Sequence, residues 1–240
     1  MAALTRTGLV LGILFLSTFT RSALGFGDAL VAMPLLTLVV GVRTATPLVA
    51  LAASTIAVSL LIRIWRQVNL AAAWRLILAT LLGIPFGLVA LEFVPEQILR
   101  SVLGLLLIVF GVYNLAEFAL PSLDDESFSW LFGWVAGLFG GAFNANGPPI
   151  VIYGLMRNWS PERFRATLQG YFLFTGGSIL VAHGLAGLWT RSVLRYYLSA
   201  LPVIIVAILM GNWANARISG EAFNRLVYAF LIVMGVFMFM

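Results

Sequence analysis

Two short stretches of this sequence set polar groups and bare backbone inside apolar surroundings. The first is Gly25-Phe26-Gly27-Asp28, ahead of the apolar run Ala29–Gly41. The second is Gly140-Gly141-Ala142-Phe143-Asn144-Ala145-Asn146-Gly147-Pro148-Pro149, which leads into Pro148–Met156. Glycine lets backbone N–H groups approach a ligand closely, and asparagine adds amide donors. A helix that begins at such a break presents N–H groups without partners and a partial positive charge, so it holds an anion without lysine or arginine. Proline belongs in a helix's first turn, which makes Asn146 or Gly147 the cap before Pro148-Pro149. The expected substrate-binding groups are therefore Asn144, Asn146, Gly147 and Pro148 on one side, and the backbone of Gly25 and Gly27 opposite.

Three further positions bear on that chemistry. Gln169 sits in a later apolar run, where facing lipid is expensive, so it is expected to face the interior and to contact substrate. Asp28 reads either as a helix cap or as a proton-coupling carboxylate, since an ionised carboxylate repels a bound anion and protonation removes the conflict. Gly25-Phe26-Gly27-Asp28 also matches the glycine–any–glycine–aspartate motif of intramembrane aspartyl proteases. That chemistry needs a second aspartate sharing the proton, and Asp124 and Asp125 lie together in a polar stretch. His183, ahead of Gly184, suits a C-terminal cap. Ser54, Thr55, Thr175 and Ser178 are expected to bond their own helix backbone.

The elements that must position these groups are membrane helices. Of 240 residues, 62% are hydrophobic and 10% charged, against about 45–50% and about 25% in soluble domains. The apolar runs are continuous rather than alternating, which favours helices over a barrel. They read as Gly8–Phe19, Ala29–Gly41, Ala45–Ile62, Leu70–Leu91 and Ile98–Leu120, then Phe128–Phe143, Pro148–Met156, Ala166–Val181, Val193–Ala214 and Phe223–Met240. The first is read as a retained helix rather than a secretory signal, because another apolar run follows at once. Ala29–Gly41 and Pro148–Met156 fall short of the roughly 30 Å hydrocarbon core and read as half-helices.

The halves on either side of the polar stretch 121–127 resemble one another. Gly25 and Pro34 match Gly140 and Pro149 at a common offset of 115, Arg43-Thr44-Ala45-Thr46 falls where Arg165-Ala166-Thr167 does, and Glu96 and Arg100 match Glu221 and Arg225. The expected organisation is a first transmembrane repeat over 1–120, a linker over 121–127 and a second repeat over 128–240. Each repeat holds four or five segments, in an all-α polytopic fold of the kind that places a transport site at the repeat interface. Five crossings per half make the halves inverted and four make them parallel; the arginines of the loops slightly favour inversion and do not settle it.

Composition also excludes whole classes of chemistry. The 14 basic residues are all arginine and are scattered singly or in pairs, so nucleic acid is not an expected partner. With no cysteine and one histidine, neither thiol chemistry nor a His/Cys metal site is expected. No Walker-type loop and no intramembrane acid–base or nucleophile–base pair is present, so no cofactor and no enzymatic activity are expected. The expected partners are a small anion and membrane lipid, with a homo-oligomer left open by the glycine-rich faces.

The runs Gly25-Phe26-Gly27 with Pro34-Leu35-Leu36, Leu82-Gly83-Ile84-Pro85-Phe86-Gly87, and Gly147-Pro148-Pro149-Ile150-Val151-Ile152-Tyr153 with Arg163-Phe164-Arg165-Ala166-Thr167 resemble the TauE/SafE family of sulfite-exporter-like permeases. The resemblance covers Leu9 to Phe239 and rests on the order and spacing of the motifs. It implies a multi-pass inner-membrane transporter, duplicated by halves, for small sulfur-containing or organic anions such as sulfite or a sulfonate. Many members carry a longer glycine run where this chain has Phe26 and Asp28. A passive anion channel and, further off, a non-transport membrane subunit are the alternatives.

Overall fold

The computed structural model describes residues 2–25, 27–64, 73–116, 121–215 and 220–240. These residues form ten helices: α1 (Ala2–Leu24), α2 (Asp28–Val40), α3 (Val42–Ile64), α4 (Trp74–Phe93), α5 (Glu96–Ala116), α6 (Phe128–Phe143), α7 (Gly147–Met156), α8 (Pro161–Leu185), α9 (Arg191–Asn215) and α10 (Gly220–Phe237). Helices α3, α4, α5 and α9 are long and apolar enough to cross a membrane. Helix α4 shows why water is not the solvent: Leu76, Ala79, Thr80, Gly83 and Gly87 are buried on one side, while Leu78, Leu82, Phe86, Val89 and Phe93 are exposed on the other. A helix apolar on every side needs lipid around it.

The two short segments fold back. Arg6, near the start of α1, donates from Nε to the Val39 carbonyl near the end of α2 at 2.9 Å. Likewise the Leu123 amide, just ahead of α6, donates to Met156 at the end of α7 at 2.8 Å, and Arg157 donates to the Leu123 carbonyl at 2.6 Å. Each half therefore opens with a helical hairpin whose ends lie on one face. At 1.5 Å per residue the returning helices, 13 and 10 residues long, reach about 20 and 15 Å, so their starts lie deep inside.

Glycine contacts fix the direction of packing. On α5 and α10, Gly104 stands against Gly235 and Gly111 against Tyr228 and Ile232; advancing along one helix moves backward along the other, so they run antiparallel. On α4 and α6, Gly83 faces Gly137 and Gly87 faces Gly141, a constant offset that makes the pair parallel. Helices α1 and α9 are parallel too, with Gly211 against Phe19 and Ser22, and Asn215 against the Ala23 carbonyl. Thus α1 packs on α9 as α6 packs on α4, and the fifth helices of the two halves meet head to tail. This packing is what an inverted arrangement, with five crossings per half, requires.

The linker is ordered by its own acids. The Ser127 amide and hydroxyl donate to Asp125 at 2.7 and 2.6 Å, which holds that carboxyl below the usual range. Glu126 pairs with Arg75 and lies 3.6 Å from Arg157.

Candidate functional site

The start of α2 is built by two glycines. Gly25 and Gly27 have φ of +89° and +95°, a region open to glycine at little cost. A Cβ on either would meet no atom within 4 Å, so the backbone turn, and not crowding, calls for glycine. Gly27 is the cap, and no side chain satisfies the first turn. Asp28 is therefore the first residue of the helix and not its cap, which corrects the capping expectation. Its Oδ2 accepts a hydrogen bond from Arg21 Nη1 at 2.7 Å, from the last turn of α1.

The start of α7 is built differently. Asn144 closes α6 in the left-handed region (φ +53°), which asparagine tolerates. Asn146 is the cap of α7, yet its side chain serves another helix: Nδ2 donates to Thr175 Oγ1 at 2.9 Å, and that hydroxyl donates to the Tyr171 carbonyl at 2.8 Å. Pro148 and Pro149 carry no N–H, so the backbone donors of this turn are those of Asn146 and Gly147.

A buried helix end in a membrane must have its carbonyls paired. Four carbonyls near the end of α6, those of Phe139 to Ala142, have partners. Phe139 accepts from the Ala145 amide and Gly140 from the Asn144 amide. Gly141 accepts from His183 Nε2 at 3.0 Å, and Ala142 from the Thr46 hydroxyl at 2.9 Å. Facing a carbonyl, the imidazole nitrogen must be the donor. His183 is thus a cap for α6, across the bundle, and not for its own helix. Arg43 likewise closes another helix end, donating to the α4 carbonyls of Leu91 and Glu92 at 3.1 and 2.9 Å.

Both helix starts open into one cavity of about 220 Å³. Gly25, Gly27 and Asp28 line it from one hairpin, and Asn144, Asn146, Gly147 and Pro148 from the other. Its walls are small residues of α3 and α8, among them Ala50, Ala53, Gly176 and Gly177. A Cβ on Gly176 or Gly177 would meet nothing within 4 Å, so these glycines leave room. Ser54 also lines the cavity, with its hydroxyl bonded to the Ala50 carbonyl at 2.8 Å. The Gln169 and Arg165 side chains fall outside the described residues.

Sequence reasoning missed Arg21, Thr46 and the reach of His183. Arg21 had a signal, because it stands between the first two apolar runs, where an arginine at membrane depth marks a functional position by default. The other two did not, since their partners lie 96 and 42 residues away.

No curated protein and no solved structure matches this chain. A family model described as Sulfite exporter TauE/SafE matches residues 9–238, nearly the whole chain and both hairpins. The chain belongs to the TauE/SafE family of membrane transporters.

Proposed function

We propose that this chain is a secondary transporter that carries a small anion, such as sulfite, a sulfonate or a related organic anion, across the inner membrane. One observation carries the reading: the first turns of α2 and α7 open into the same cavity from opposite hairpins. Two positive helix ends aimed at one space favour negative charge there. In this reading Asn146 and Gly147 donate to the anion from one side and the α2 backbone from the other. The chain then consists of two repeats, 1–120 and 128–240, joined by 121–127, and alternating access rocks one against the other about the shared cavity. Asp28 is the coupling carboxylate, taking a proton when the anion is bound beside it.

The test is flux of sulfite, then of small sulfonates and carboxylates, into proteoliposomes carrying the wild type or Asn146→Ala, with and without an imposed pH gradient. Saturable flux that responds to the gradient and is lost in the variant supports a coupled carrier. Flux that never exceeds equilibration under any gradient supports a passive channel instead. Equal flux in both proteins, or none for any anion, removes the helix-start site from the account.

A further inference from the structure

We propose that Arg21 is the anion-selecting residue of this cavity, and that Asp28 is its resident counter-ion, held on the guanidinium until a substrate anion displaces it. The inference rests on the anion-transport reading of the cavity and adds to it the group that confers charge selectivity.

Among the described residues that line the cavity, Arg21 and Asp28 are the charged ones. Their side chains are 12% and 13% exposed. Both line the open space, so the pair borders the cavity and is not sealed behind it. The contact is single, Nη1 to Oδ2 at 2.7 Å, and the buried Arg21 Nε has no hydrogen-bond partner. A guanidinium offers five donors in a planar fork that matches an oxyanion through two parallel bonds. Asp28 uses one arm of that fork. An anion with two or three oxygens that displaces Asp28 can take two guanidinium N–H groups together, a pairing that the single Asp28 contact does not make.

The second hairpin shows that the pair is not required to build the turn. With the hairpins matched on their helix ends, Leu24 with Phe143 and Asp28 with Gly147, Gly140 stands where Arg21 does and Gly147 where Asp28 does. Helices α6 and α7 fold back all the same, held by carbonyl caps from Thr46 and His183. A pair confined to one half of the molecule, in a turn that the other half makes without charge, serves the cavity and not the fold. Its carboxylate also sets a threshold: an anion that cannot offer at least the pairing of Asp28 leaves a buried charge uncompensated and is rejected.

The experiment titrates sodium sulfite and sodium methanesulfonate into the detergent-purified full chain, reads binding by thermal shift and intrinsic tryptophan fluorescence, and repeats the titration on four variants. Gel filtration establishes that each variant is monodisperse. Asp28→Asn frees the fork and is expected to tighten binding about tenfold. Arg21→Gln is expected to abolish it, Arg21→Lys to retain a weakened form, and the double variant Arg21→Gln/Asp28→Asn to match Arg21→Gln. A purely structural ion pair gives a different pattern, in which both single variants weaken binding alike and the double is no worse; that result overturns the proposal. Binding by wild type and Arg21→Gln to equal extent overturns it too, while leaving anion transport standing. Binding by neither wild type nor Asp28→Asn sinks both readings together.

Discussion

The Asn146 side-chain amide donates to the Thr175 hydroxyl across 2.9 Å, so the cap of α7 is held by α8 and not by its own first turn. That bond fixes the side chain of a residue that lines the cavity. Thr175→Val keeps the shape and deletes the acceptor. It is expected to raise the KM for transported anion severalfold and to cost about 1–3 kcal/mol of stability, the usual loss for an unpaired buried donor. Flux kinetics in proteoliposomes together with thermal unfolding check both.

Capping of α6 from across the bundle makes a second prediction. Thr46→Val leaves the Ala142 carbonyl without the hydroxyl that lies 2.9 Å from it, and His183→Phe does the same to Gly141. Each is expected to lower stability by about 1–3 kcal/mol. If both unfold in detergent at the wild-type temperature, the α6 terminus does not depend on these caps.

Close helix packing is tested by adding one methyl. A Cβ on Gly83 would fall 2.2 Å from the Trp134 carbonyl oxygen, and one on Gly137 would fall 2.2 Å from that of Thr80. Backbone cannot retreat cheaply, so Gly83→Ala and Gly137→Ala are expected to lower the melting temperature, with a cost of about 1–3 kcal/mol or more. Gly12→Ala, where a Cβ meets nothing within 4 Å, is the internal control and should hold or gain stability.

The inverted arrangement predicts where loops emerge. Cysteines placed at Ser122 and Ser160 are expected to react with a membrane-impermeant maleimide from the same side, because Arg157 ties the two loop regions together. The native chain has no cysteine to interfere. Labelling from opposite sides would mean that α7 does not return to the face from which α6 started.

Filling the cavity separates site from scaffold. Gly176→Leu projects a side chain into open space and adds helix propensity, so stability should be kept while anion flux falls at least tenfold. Retained flux would relocate the pathway away from this cavity.

The two hairpin breaks were legible because glycine, asparagine and paired prolines leave few other conformations inside an apolar run. The half-helices fall within a residue of their expected starts, at Asp28 and Gly147. The glycines of Leu82-Gly83-Ile84-Pro85-Phe86-Gly87 were visible as a motif, but their partner helix was not. What each faces depends on a constant offset to α6 that only three dimensions display. Arg21 lay in view, seven residues before Asp28, but two turns of unbroken helix would set them about 10 Å apart along the axis. It is the positive-φ turn at Gly25 and Gly27 that brings the two together. Thr46 and His183 gave no local sign at all, since a cap supplied by another helix leaves no trace in the capped one's sequence.

The pairing of Arg21 with Asp28 has an electrical consequence. An empty cavity whose two charges cancel carries none across the bilayer field, so the unloaded protein can reorient without regard to voltage. Loaded with a monoanion, the same cavity moves one negative charge, and each 100 mV across the membrane then biases the step by about 2.3 kcal/mol. With Asp28 protonated as the anion binds, the proton cancels that charge and the loaded step is again indifferent to voltage; with Asp28 ionised, a cell negative inside expels the cargo on its resting potential alone.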